Sequence, residues 1–190
     1  MKWKFGFNLL SKICLILFYI IGLLFVFTTL EHVSLIWFAD SALAKSFRPY
    51  EPIFSYIQLS FQNQPDLYDE KSFLILSFIS ISTSVLFMML FLWLMRKLLK
   101  NIYLKSLFLQ QNVAIIWKLG VITIVLGTVS TYIDEQITSR TLELLKITNA
   151  TIQYSTLNYI DTIIGGIVLI LIASALKYAV NAVEENEQTI

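Results

Sequence analysis

The stretch KSFLILSFISISTSVLFMMLFLWLMRKLLK, residues 71–100, decides how this chain is read. Residues 73–95 hold no ionisable side chain, and Arg96, Lys97 and Lys100 follow at once. A helix needs about 20 such residues to cross about 30 Å of hydrocarbon. Cations packed directly behind a span hold that end on the cytoplasmic face, because positively charged loops are retained there. Three more runs of the same kind occupy residues 13–30, 113–133 and 160–180. The pattern predicts an all-α membrane protein: a four-transmembrane-helix bundle forming one integral domain over residues 1–190.

Composition agrees. Apolar residues make up 57% of the chain, charged residues only 14%, and the mean hydropathy is +0.72, far from the averages of soluble domains. Between the spans lie two outer segments, 31–72 and 134–159, an inner connection, 96–112, and a short tail, 181–190. Nine cations flank the inner ends (Lys2, Lys4, Lys12, Arg96, Lys97, Lys100, Lys105, Lys118 and Lys177) and five the outer. This bias places both termini in the cytoplasm. The acids divide oppositely, with three inside and ten outside, so the formal charge of +1 conceals an inner face of +6 and an outer face of −5. A basic inner face suits an anionic lipid leaflet, and without a recognition module it does not point to nucleic acid. Ala42-Leu43-Ala44 has the form of a signal-peptidase site but lies too far beyond residue 30, so the first helix is expected to be retained. Cys14 is the only cysteine and excludes an intrachain disulfide.

The first outer segment is aromatic, and Ile53, Ser55, Ile57, Leu59 and Phe61 alternate with Phe54, Tyr56, Gln58 and Ser60 in a strand-like way. In the second, residues 139–146 suggest a short helix with Leu142 and Leu145 on one face. Thr151, Ile152, Tyr154, Thr156 and Tyr159 then have strand-like density. Pairing of the two stretches into a small extracytoplasmic β-cap would satisfy both edges; the alternative is two interfacial loops with aromatic anchors. The inner connection reads as a helix end lying among headgroups. With the acidic tail it supplies a candidate interaction surface: Lys97, Lys100, Lys105, Glu184, Glu185 and Glu187.

No ionisable group falls in the middle of a span, and that weighs against an ion or proton pathway. Small residues recur at helical spacing instead: Ser77, Ser80 and Ser84; Gly120, Thr123 and Gly127; Thr162, Gly166 and Ala173. These are expected to pack helices closely, with a polar path along the serines as the rival reading. His32 reads as an interfacial side chain. No catalytic set, metal site or cofactor motif is indicated, so an enzyme is not expected.

Leu107-Phe108-Leu109-Gln110-Gln111-Asn112 running into Trp117-Lys118-Leu119-Gly120, and the end from Gly165-Gly166 through Lys177-Tyr178 to Glu184-Glu185-Asn186-Glu187-Gln188-Thr189-Ile190, resemble the small bacterial membrane proteins grouped as domain of unknown function 2975. That family carries a glycine shortly before its end, where this chain has Val180-Asn181-Ala182. The resemblance implies four helices in this order and, since its members are often encoded beside small helix-turn-helix regulators, a membrane-embedded regulatory or sensory partner of such a cytosolic regulator. The alternative is a small transporter, channel or immunity-type protein acting within the bilayer.

Overall fold

A computed structural model describes residues 2–54, 57, 59, 61–146 and 157–188. Helix α1 (Lys2–Trp37) is followed by the short α2 (Ala42–Ser46), a 3₁₀ turn (Asp66–Asp69) and α3 (Lys71–Leu104). Then come α4 (Gln110–Ile122), a π turn (Thr123–Gly127), α5 (Thr128–Glu143) and α6 (Leu157–Gln188). The α4, π and α5 pieces run on as one helix of 34 residues, Gln110–Glu143, so the described residues form four helices long and apolar enough to cross a membrane. Each contains one of the four expected runs. At 1.5 Å per residue a 34-residue helix is about 50 Å long, well beyond the ~30 Å of a hydrocarbon core.

Local chemistry sets the breaks. Past Trp37 the chain turns through Asp40, and Ser41 caps α2 by accepting the Ala44 N–H at 3.1 Å, an N-terminal donor with no partner inside the helix. Helix α2 stops before Pro49, whose ring cannot continue a helix. Lys146, at φ 47°, ends the turn after α5 in the left-handed region. Within the third helix Thr123 Oγ1 donates to the Leu119 carbonyl at 2.9 Å where the ladder widens by a residue into the π turn. Helix α6 passes through Val180-Asn181-Ala182 without interruption.

The helices form a row. Helix α1 lies along α3, α3 also meets α4 and α5, and α6 lies against α4, the π turn and α5. At one end, here the basic end, Ser11 of α1 reaches the Arg96 carbonyl of α3 at 3.3 Å, and Gln110 of α4 donates to Asn181 of α6 at 2.9 Å. The start of α1 and the end of α6 therefore lie at the same end of the bundle. Two apolar cores hold the row. One, at the basic end, joins Leu98, Ile115, Ile116, Leu119 and Ala173. The other, at the opposite or loop end, seats Tyr50, Tyr68 and Ala44 of the first long loop on Phe73, Leu74 and Ile137 of the helices.

Three expectations change. The third helix does not stop near residue 133, nor does a separate helix start at 139: α5 carries the same helix on to Glu143. Its buried positions are Thr131, Asp134, Glu135, Ile137, Thr138 and Thr141, a helical period written in polar letters, while Leu145 is exposed. Among the described residues there is no strand. The described part of 53–61 is irregular, because Phe54 and Phe61 lean on the loop-end core rather than on a ladder. Tyr159, read as the end of a strand, is in α6; its proposed neighbours from Thr151 to Thr156 lie outside the described residues.

Candidate functional site

At the basic end α3 keeps its helix through the whole cationic stretch, so Lys97 and Lys100 project from a rigid element, and Lys105 begins the turn to α4. All three are exposed, as are Glu184 and Glu185 on the last turns of α6. Glu187 lies within α6. The turn is clasped from inside by Asn112, which is 0% exposed. Its Nδ2 donates to the Ser106 and Leu107 carbonyls at 2.9 and 3.0 Å, and its Oδ1 accepts from Asn101 Nδ2 at 2.9 Å. Three hydrogen bonds on one buried amide fix the angle between the α3 and α4 axes. Gln110 then ties the start of α4 to Asn181 and, at 3.4 Å, to Glu184. The acidic end of α6 is thus tied to the start of α4, at the same end of the bundle as the cationic stretch. A groove of about 440 Å³ between α4 and α6 opens beside Gln110, lined by Trp117, Lys118 and Lys177 among others.

The small residues sort into two jobs. A Cβ on Gly120 would stand 2.7 Å from the Gly166 carbonyl oxygen, one on Gly166 would stand 2.6 Å from the Gly120 carbonyl oxygen, and one on Gly127 would stand 3.0 Å from Thr162. The third helix and α6 therefore touch backbone to backbone, as expected of small residues in membrane helices. Ala173 is buried farther along the same seam. Ser84 bonds Ser130 across α3 and α5 at 2.7 Å, and Ser80 is buried. Ser77 departs from expectation, since its hydroxyl bonds the Tyr50 hydroxyl of the loop and not another helix.

That bond belongs to a polar chain at the loop end that the sequence reading missed. His32, read as an interfacial side chain, is 0% exposed: Nδ1 lies 2.9 Å from the Thr28 carbonyl and Nε2 3.2 Å from Tyr50 Oη. An N–H at Nδ1 would donate to that carbonyl and leave Nε2 to accept the phenolic proton. Phe78 and Tyr50 flank the imidazole, with ring centroids at 5.4 and 5.3 Å. Across the bundle, Tyr159 of α6 donates to the Glu135 carboxylate of α5, and Tyr68 is bonded to Thr141. Burial pushes the Tyr50 phenol up to about 12; the nearby Glu31 carboxylate adds to the rise and the Ser77 bond opposes it. Among the described residues no three of His, Cys, Asp or Glu are grouped so as to hold a metal ion. Only the spacing of residues 131, 134, 138 and 141 on one helical face carried a signal of this core. Compared with protein-family models, curated proteins and solved structures, the chain matches none.

Proposed function

We propose that this chain is a four-span protein of the bacterial inner membrane, with its basic end and both chain ends in the cytoplasm, and that it serves as a regulatory or sensory interaction partner of a cytosolic regulator. The observation that carries the reading is the surface at the basic end. Lys97, Lys100 and Lys105 stand exposed at the same end of the bundle as Glu184 and Glu185, with the turn from α3 to α4 held by the Asn112 clasp. Charged groups on rigid helix ends steer and register a partner more than they add raw affinity. The resemblance to domain of unknown function 2975 supplies the kind of partner, a small helix-turn-helix protein, by analogy alone. The bonds of Ser77 to Tyr50 and of Ser84 to Ser130 favour packing over a substrate path along the serines.

The test is removal of residues 184–190. Co-purification of a cytosolic regulator in mild detergent, and the transcript level it controls, should collapse while the bundle remains in the membrane. Changing Ser80 and Ser84 to Ala should leave both unchanged, since an interhelical hydroxyl bond in a membrane protein contributes about 0.6 kcal/mol on average. The opposite pattern, with serine changes abolishing the response and the tail deletion leaving it intact, would favour the transporter reading.

A further inference from the structure

Lys12 of α1 and Arg96 and Lys100 of α3 come from distant parts of the chain and line one pocket of about 250 Å³ at the basic end. Arg96 and Lys100 are four residues apart, on one helix face, where like charges repel. Lys12 is brought up to them, not away: the Ser11 hydroxyl fastens α1 to the Arg96 carbonyl beside the pocket. The Arg96 guanidinium is held 5.7 Å over the Trp93 ring, which orients it. Among the described residues no carboxylate forms an ion pair with any of the three cations. Asn8 and Tyr103 add neutral hydrogen-bonding groups to the wall, and Leu15 closes it toward the apolar run. Just past the pocket along α1, Ile13 and Ile16 are exposed, so an occupant with an anionic head has an apolar surface waiting for its tail. Three converging cations call for an anion with several acceptor oxygens, and phosphate fits arginine and lysine together.

We propose that this pocket between α1 and α3 binds the phosphate of an anionic phospholipid headgroup, with an acyl chain lying along α1. Basic pockets between helices at the cytoplasmic face are suited to such headgroups. The site rests on the membrane-spanning reading above. If reporter fusions place the basic end in the cytoplasm and the lipid test fails, the pocket alone is rejected.

The experiment is native mass spectrometry of the full chain, delipidated in neutral detergent and titrated with phosphatidylglycerol, phosphatidylcholine or inorganic phosphate. Phosphatidylglycerol should be retained at least about tenfold better than phosphatidylcholine, given about fivefold per cation. Lys12→Gln, Arg96→Gln and Lys100→Gln together should erase that preference. The matched control Lys97→Gln, Lys105→Gln and Lys118→Gln, which removes three cations outside the pocket, should keep it. Lys100→Gln alone should cut the preference about fivefold and guards against a triple variant that fails to fold. Equal loss in both triple variants would overturn the site in favour of diffuse surface charge. Displacement of the lipid by inorganic phosphate would overturn the lipid and leave a free-phosphate site.

Discussion

His32 and Tyr50 show what one buried pair of side chains does to a loop. The imidazole supplies an acceptor, the phenol bridges it to Ser77, and the segment after α2 is thereby tied to α1 and α3 at once. Replacing Tyr50 with Phe keeps the ring and deletes the bridge, leaving buried groups on His32 and Ser77 unmatched. The expected cost is about 1–3 kcal/mol, read as a lower thermal midpoint in detergent. The same residue sets a pH dependence. The folded chain favours the neutral phenol, lifting its pKa from the usual 10.0 to about 12, so the stabilisation is complete below pH about 10 and is lost as pH rises toward about 12. Tyr50→Phe should flatten that part of the stability profile, and phenolate absorbance should lose one late-titrating tyrosine. At the other end, Asn112→Ala strands two carbonyls and the Asn101 amide and should also cost about 1–3 kcal/mol. By contrast Arg48 and Asp69, 3.7 Å apart and each 43% exposed, form a surface pair whose removal should be close to silent.

Between elements, the seam of the third helix and α6 offers two adjacent residues with opposite expectations. A Cβ on Gly165 meets nothing within 4 Å, whereas one on Gly166 runs into Ile124 and the Gly120 carbonyl. Gly165→Ala should therefore be neutral or slightly stabilising through helix propensity. Gly166→Ala should lose about 1–3 kcal/mol by overpacking. Thermal unfolding of the two variants side by side checks the contact. This seam was legible, because Gly120, Thr123, Gly127 and Gly166 recur at helical spacing inside apolar runs. The extension of the third helix through Asp134 and Glu135 was not. Hydropathy assigns two adjacent acids to a loop, yet Thr131, Asp134, Thr138 and Thr141 follow the helical period, and their polarity hid a buried face. The strand-like alternation near residue 53 misled for a related reason: aromatic side chains were settling on helix ends, a long-range contact that leaves no local period.

For the whole molecule, the proposed orientation rests on charge. Reporter fusions at Lys105 and Ile190 should behave as cytosolic and one at Asn63 as external, because nine of the fourteen cations lie at the basic end. An external signal from Ile190 would reverse the arrangement. The count and order of the four helices were readable because hydrocarbon thickness imposes a length on each run. The ties that place Gln110 against Asn181, or His32 against Tyr50, were not readable, since they join residues far apart in the chain through groups common on any surface.

Helix α1 touches the rest of the row mainly through α3, and its most apolar window, of mean hydropathy 2.7, is 0% buried, whereas that of the third helix falls to 2.0 and is 28% buried. If the four helices cross the membrane as proposed, they differ in how long each can stand alone in lipid during synthesis. On the membrane-spanning reading, helix α1 leaves the translocation machinery first and can wait beside it, since its buried polar side chains, Ser11, His32 and Ser34, lie outside its most apolar window. The third helix buries a whole polar face, from Thr131 to Thr141, and is expected to need its neighbours soon after emerging. A fragment of residues 1–63 is accordingly expected to persist in the membrane by itself, and one of residues 105–146 to be degraded unless the flanking helices are supplied in trans; equal survival of the two would show that assembly order is indifferent to polarity.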